Sequence, residues 1–339
     1  MTSPKDKVLG MFFGIAIGDA LGMPVETFSA EKIATTYGRV TDYKIPDGHK
    51  WFNGQPAGMI TDDTQLTLAV AEGLIEADLD MDAQAKHHVA ALKETDSGWG
   101  RTTRDSVRRI ANGSHWSESG IGSEGLGNGV AMKVAPVGAR WSLAKRKPED
   151  FKKLTEVNPL NGEAAFFQFI ESLNAMTHRT SLSNSATFAQ ILAVDYCFSC
   201  KQFDIEEFED VVVHASSFGS YLFEETLTDD NITNRLSTLF YNHSDYNAEK
   251  LIADFGGGSC YVYNSLPFTY GFLLQNPNSI ESLYDVVNAG GDTDSNGSML
   301  GALLGALHGI DIFPRSLIEG LLQKDRVFDV ANRFAEKFL

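Results

Sequence analysis

Glycine recurs at every fourth position in two separate stretches of this chain, at Gly10, Gly14, Gly18 and Gly22 near one end and at Gly297, Gly301, Gly305 and Gly309 near the other. Apolar residues fill the positions between, so both stretches read as helices. A glycine inside a helix costs roughly 1 kcal/mol relative to alanine, and two such ladders therefore require a compensating contact. The simplest is close approach of neighbouring helix backbones. The two ladder helices are expected at the centre of a bundle, each the candidate partner of the other.

The remaining pattern agrees. Apolar residues recur three or four apart in 62–78, 163–176, 185–201 and 315–338, whereas alternating segments joined by hairpin turns are not found. The expected fold class is all-α. Gly- and Ser-rich stretches at 41–58 and 112–129 interrupt the helices as long loops, of the kind that carry function. No Pro-rich or low-complexity linker divides the 339 residues, which predicts a single domain over 1–339.

Lys5 and Lys7 precede the apolar run Val8–Ile17 in the manner of a signal peptide, but Asp6 and Asp19 bracket it and no small-x-small cleavage site follows. It reads as a buried first helix. The longest apolar runs are about half of the ~20 residues that a membrane span needs. Cys197, Cys200 and Cys260 form an odd set, and the Cys197-x-x-Cys200 pair has no second pair or histidines at zinc spacing. A reducing, cytoplasmic setting is expected. Lys and Arg number 28 against 45 Asp and Glu, a formal charge of −17 without a basic block. That balance argues against a nucleic-acid or membrane footprint, although metal ions or backbone N–H groups can still hold a small anion locally. Nothing in the sequence specifies an oligomer, so a monomer is the default.

Three acidic spots stand at helix ends: "GDALGMPVE" (Asp19, Glu26), "TDDT" (Thr61, Asp62, Asp63, Thr64) and "GDTDS" (Asp292, Thr293, Asp294, Ser295). Helix capping accounts for one acidic or hydroxyl residue per helix start. It does not account for paired carboxylates, which repel one another and raise each other's pKa. Hard divalent cations relieve that repulsion and take oxygen ligands from carboxylates, hydroxyls and water. Thr61, Asp62 and Asp63 form one candidate set, and Asp292, Asp294 and Ser295 another. In extended backbone Asp292 and Asp294 would point the same way and could share a cation.

In order and rough spacing, "GIAIGDALGMPVE", "GMITDDTQLTLAVAEGL", "GNGVAMKVAPVG", "THRTSLSNSA", "GGGSCYVYNSLPFTYGFL" and "AGGDTDSNGSMLGALLGALHG" resemble the motifs of the ADP-ribosylglycohydrolase family, over about residues 8 to 310. The resemblance implies a compact all-α bundle with a central dinuclear cleft holding two Mg²⁺ or Mn²⁺ ions. Its metal-ligand motifs fall on Thr61, Asp62, Asp63, Asp292, Asp294 and Ser295, the last standing where many members have threonine. Glu26 falls on the family's acid beside the metals, and Asp19 reads as structural, oriented toward a helix end.

The implied substrate is ADP-ribose or an ADP-ribosylated protein or small molecule. In "GSEGLGNGVAMK", Gly125, Gly127 and Gly129 permit close backbone approach, and a helix expected from about Val130 would offer free N–H groups to phosphate. The resemblance assigns Gly127, Asn128 and Gly129 to the ADP-ribose site, with lysine at Lys133 where many members have arginine. His178 reads by itself as a structural or capping histidine; the family's Thr-His motif implies a contact to the distal ribose. Tyr261 reads equally as a core tyrosine or as a ring against adenine. Within "TDSGWGRTTRDSVRRIANG", Asp96 falls on an additional aspartate found near the scissile bond in some members.

The implied reaction is hydrolysis of the N- or O-glycosidic bond at C1″ of the distal ribose, with the metal pair gripping the 2″- and 3″-hydroxyls and orienting water, and Glu26 and Asp96 serving proton transfer. Two rivals stand beside it: a non-catalytic ADP-ribose-binding relative and a metal-dependent phosphohydrolase acting on the pyrophosphate. The linkage cleaved, whether to arginine, serine, an acetyl group or another acceptor, has no residue code in these loops.

Overall fold

The computed structural model describes residues 2–122, 125–147, 149, 162–223 and 231–339. Among them there are helices and three isolated β-bridges but no strand, so the all-α expectation holds.

The two glycine ladders form the axis. The helix Pro4–Gly22 packs along the helix Thr293–His308 in antiparallel register. A β-carbon on Gly14 would lie 2.0 Å from the Gly301 carbonyl oxygen, one on Gly18 2.0 Å from that of Gly297, and one on Gly10 2.7 Å from that of Gly305. Backbone thus meets backbone at successive turns, and the contact that offsets the helical glycines is the one expected. The first helix starts with a capping box, in which the Asp6 N–H donates to Ser3 Oγ and the Ser3 N–H to Asp6 Oδ2. From Lys7 to Gly22 every residue is buried. By length and composition the segment Pro4–Val25 could cross a membrane, yet its apolar window is wholly buried in the bundle.

Antiparallel packing brings the end of the first ladder to the beginning of the second. The Thr293 hydroxyl donates to the Gly22 carbonyl (2.8 Å). Beyond a 3₁₀ turn at Met23–Val25, the Thr27 N–H donates to the Gly291 carbonyl (2.7 Å) and the Gly291 N–H to the Phe28 carbonyl (3.0 Å). Glu26 is thereby carried to the mouth of the helix that begins after Asp292.

Around this axis lie the helices Asp62–Ala77, Ala135–Lys145, Ser181–Ser199, Val262–Gln275 and Lys324–Phe338. Their buried faces join in one contiguous apolar cluster, with Phe12 edge-on to Phe334 (centroids 5.5 Å apart). The stretch 315–338, expected as one helical pattern, is two helices, Arg315–Gly320 and Lys324–Phe338. The break lets the Leu322 N–H donate to the Gly58 carbonyl (3.1 Å) and puts the Gly320 carbonyl against Gly58, holding the 41–58 loop to the bundle.

Candidate active site

The helix Asp62–Ala77 begins beside the ladder ends, and a carboxylate from another helix holds its start in place. Buried Asp19 accepts hydrogen bonds from the Thr61 N–H (3.0 Å), the Thr61 hydroxyl (2.9 Å), the Thr64 N–H (3.1 Å) and the Thr64 hydroxyl. It thus supplies from a distance the N-cap that Thr61 does not supply itself. This is the structural role expected of Asp19. With that end fixed, Asp63 turns toward the helix Thr293–His308, where Ser295 Oγ donates to Asp63 Oδ2 (3.3 Å) across the two clusters, while Asp62 Oδ2 accepts from the Gly100 N–H (3.3 Å).

One cavity of about 840 Å³ is lined by Glu26, Asp62, Asp63, Asp96, Gly127, Asn128, Gly129, His178, Tyr261, Asp292, Asp294 and Ser295. Residues far apart in sequence are therefore brought together. Thr61 lies behind the wall, its hydroxyl engaged by Asp19 and more distantly by Asp63 Oδ2 (3.4 Å). Asp292 and Asp294 do not sit in extended backbone. Asp292 is the N-cap and Asp294 lies in the first turn, and there carboxylate oxygens of Glu26, Asp292 and Asp294 fall within 4.8 Å of one another.

Crowding and burial act on these acids in the same direction. Burial, then the charges of Asp292, Asp62 and Asp19, pushes the Glu26 carboxyl up to about 8. Burial, then the charge of Asp19, lifts Asp62 to about 8 against an opposing hydrogen bond from the Gly100 N–H. Asp63 and Asp294 stand well above the usual carboxylate range and Asp292 is raised, in each case chiefly by burial. Asp63 Oδ1 is buried without a hydrogen-bond partner. A hard divalent cation suits such a donor set, because it neutralises the charge and ligates an oxygen that otherwise bears a desolvation cost. The residues fit an ion at Glu26, Asp292 and Asp294.

The opposite wall is built by backbone pairing between two loops. The Asn128 N–H donates to the Cys260 carbonyl and the Val262 N–H to the Leu126 carbonyl (both 3.0 Å), which seats Gly127 opposite Tyr261. Tyr261 is 49% exposed, so it is a ring presented to the cavity and not a core tyrosine. The Asn128 amide donates to Asp292 Oδ2 (2.6 Å) and Ser265 Oγ (3.1 Å), so its side chain orients an acid while its backbone shapes the wall. His178 is buried, with Nδ1 2.9 Å from Thr177 Oγ1, and its Nε2 faces the space above Gly127 and Gly129. Burial, then the Lys133 cation, drives the His178 pKa down to about 3, so its ring is neutral.

One expectation changes here. No α-helix starts at Val130; a 3₁₀ turn at Ala131–Lys133 comes first and the helix runs Ala135–Lys145. Lys133 is fully buried behind the wall and its Nζ lacks a hydrogen-bond partner. Burial lowers its pKa to about 7, against the opposing charge of Asp62, and it presents no cation to the cavity. Asp96 lines the cavity as expected, with its carboxylate held by Arg108 (2.5 Å). Sequence reasoning did not single out Lys50, Trp51 and Trp99, which also line the cavity. The only signal for Lys50 and Trp51 was their place in the 41–58 loop, and for Trp99 its place in the segment that carries Asp96.

The model of the ADP-ribosylglycohydrolase family matches residues 1–339. The chain is 26% identical over 338 residues to the ADP-ribosyl-[dinitrogen reductase] glycohydrolase of Rhodospirillum rubrum, covering 96% of this chain and 94% of that one. It is 23% identical over 367 residues to the human ADP-ribosylhydrolase ARH3, covering 97% and 93%. Among solved structures, an ADP-ribosylglycohydrolase-related protein complex superposes with a TM-score of 0.71 at 21% identity over the whole of both chains.

Proposed function

The chain belongs to the ADP-ribosylglycohydrolase family, and from that premise we propose that it is a divalent-metal-dependent hydrolase that removes ADP-ribose from a modified side chain or small molecule by cleaving the N- or O-glycosidic bond at C1″. One observation carries the reading: Glu26, Asp62, Asp63, Asp292 and Asp294, from three separate segments, line one cavity whose opposite wall is the Gly127–Gly129 loop, Tyr261 and His178. The names of two relatives, ADP-ribosylhydrolase and ADP-ribosyl-[dinitrogen reductase] glycohydrolase, support the removal of ADP-ribose.

Two Mg²⁺ or Mn²⁺ ions, held by Asp62, Asp63, Asp292, Asp294 and Ser295 with Thr61 behind them, would neutralise the acids and grip vicinal ribose hydroxyls. The protein's own groups supply the rest. Tyr261 offers its ring face to adenine, and the small residues Gly127 and Gly129 let backbone approach the diphosphate. Neutral His178 presents Nε2 to a ribose hydroxyl without adding charge. Glu26, on the cavity wall beside these acids, carries the proton needed at the leaving nitrogen or oxygen as the C1″ bond breaks and positive charge grows on the ribose. Asp96 stands at the rim for a second proton-transfer role.

The test is product identity. ADP-ribosylated arginine, serine and acetyl substrates are incubated with the protein and Mg²⁺ or Mn²⁺, and the products are separated by chromatography. Intact ADP-ribose supports the proposal. Release of AMP would replace it with pyrophosphate hydrolysis, and binding without turnover with a non-catalytic role.

A further inference from the structure

His49 lies in the 41–58 loop next to Lys50, which is exposed, and Trp51, which is 53% exposed, yet His49 itself is only 3% exposed. Its ring is stacked between Phe52 (centroids 5.2 Å, 27°) and Phe28 (6.0 Å, 29°). Both ring nitrogens are used. Nδ1 faces the N–H groups of Trp51 (3.2 Å) and Phe52 (3.0 Å), and Nε2 lies 3.1 Å from the carbonyl oxygen of Glu26. Backbone N–H groups can only donate, so Nδ1 accepts and carries no proton; the ring proton is on Nε2 and is donated to Glu26. The Glu26 carboxylate lies 3.8 Å from the same nitrogen.

From this geometry we propose that His49 is a positioning residue: one imidazole ties the loop that bears Lys50 and Trp51 to the backbone of Glu26 and so sets where the Glu26 carboxyl stands at the reacting end of the cavity. The other side of the Glu26 segment is already fixed, because Thr27 and Phe28 pair with Gly291. Between these anchors Thr27 is held at a φ of 66°, a conformation costly for a residue with a branched side chain. Without the Nε2 donor, the Glu26–Thr27 peptide keeps only the bond from the Thr27 N–H to Gly291, and the Glu26 carboxyl loses the second of the two constraints that set its register against Asp292 and Asp294. Lys50 and Trp51 line the same cavity as Glu26, so the tether also joins the residue that handles the proton to another part of the cavity wall. The inference rests on the reading of Glu26 as the acid of the proposed hydrolysis.

Two variants separate the two bonds. In His49→Asn the amide oxygen can replace Nδ1 as acceptor from Trp51 and Phe52, but the side chain is too short to reach Glu26. In His49→Gln the amide nitrogen can replace Nε2 as donor to Glu26, while the acceptor for the loop is lost. With the full chain loaded with Mg²⁺ or Mn²⁺, His49→Asn is expected to lower kcat about tenfold or more with KM within about twofold, and His49→Gln to keep kcat within about threefold while raising KM. Equal kcat in the two variants, or losses that simply follow their melting temperatures, would overturn the proposal. A second readout does not need turnover. ¹⁵N spectra of the histidine-labelled protein are expected to show His49 as the Nε2–H tautomer, and the Trp51 and Phe52 amides to stay protected from exchange in His49→Asn but not in His49→Gln. An Nδ1–H tautomer overturns the proposal directly. If the wild-type protein hydrolyses no ADP-ribosylated substrate, the functional reading fails, and these spectra still decide the tether.

Discussion

Gly14 and Gly301 meet backbone to backbone: a β-carbon on Gly14 would lie 2.0 Å from the Gly301 carbonyl oxygen, and one on Gly301 2.0 Å from the Gly14 carbonyl oxygen. Neither helix can yield alone, because the same contact repeats a turn away between Gly18 and Gly297. Gly301→Ala and Gly14→Ala should each destabilise the protein by about 3 kcal/mol or more, at the upper end of overpacking costs. Urea denaturation measures this. Stability within about 0.5 kcal/mol of wild type would contradict the packing described.

Asp294→Ala should cost divalent-ion affinity and hydrolysis together, since its carboxylate shares a site with those of Glu26 and Asp292. Titration calorimetry with Mn²⁺, run beside the activity assay, tests the coupling. Full activity of Asp294→Ala in chelator-treated buffer would remove the metal from the mechanism.

Glu26→Gln should behave differently. The amide keeps a ligating oxygen but has no proton to give, so kcat is expected to fall by roughly 10²–10⁴ while Mn²⁺ affinity changes much less than in Asp294→Ala. A drop in affinity as large as that of Asp294→Ala would make Glu26 principally a ligand.

Stability should depend on pH with a sign that divalent ions alter. Glu26 and Asp62 titrate near 8 in the metal-free fold, against about 4 in an unfolded chain. Between those values the folded state holds more protons, so the stability they confer is full below about pH 4 and is lost as the pH rises through 8, by up to about 1.4 kcal/mol per unit per group. Neutral His178, near 3 when folded and about 6.5 when unfolded, acts in the opposite sense only below about pH 6.5. Lys133, which burial lowers to about 7 from about 10.4 in an unfolded chain, opposes the carboxylates above pH 7, but it is one group against Glu26 and Asp62 together, so the net slope across the window from 6.5 to 8 keeps their sign. Melting temperature in chelator should fall across it, and Mg²⁺ or Mn²⁺ should flatten the fall. A metal-free curve that is level or rising there would contradict the crowding of these acids.

Asp19→Ala should leave Thr61 and Thr64 without their shared acceptor and cost on the order of 2–4 kcal/mol. Mn²⁺ affinity should weaken as well, even though Asp19 does not line the cavity, because the start of the Asp62–Ala77 helix is released. Unchanged affinity, measured on the folded fraction, would show that the two threonines hold their place without it.

Much of this arrangement was legible in sequence because it rests on local rules. Two four-residue glycine periods announced a backbone contact, and paired acids at helix starts announced a shared counter-charge. What local rules do not encode is the direction in which distant parts meet. The antiparallel register that sets Glu26 against Asp292 and Asp294 is a tertiary fact. The burial of Lys133 behind the cavity wall is another. The 315–338 pattern divides because a loop carbonyl at Gly58 recruits the Leu322 N–H, a partner more than two hundred residues away. Asn128 pairs with Asp292 for the same kind of reason: the loop is pinned by Cys260 and Val262, not by its own sequence. His49 carried no periodicity or motif at all, and its two bonds emerge only once the 41–58 loop has folded onto Glu26.

The interlocked ladders also work as a gauge of length. Adding one residue to either helix between its glycines would turn everything beyond by roughly 100° and advance it about 1.5 Å, withdrawing Asp294 or Glu26 from the other's reach. Descendants of this chain are free to remodel their surface loops and with them the molecules they accept, but the central pair must keep its count.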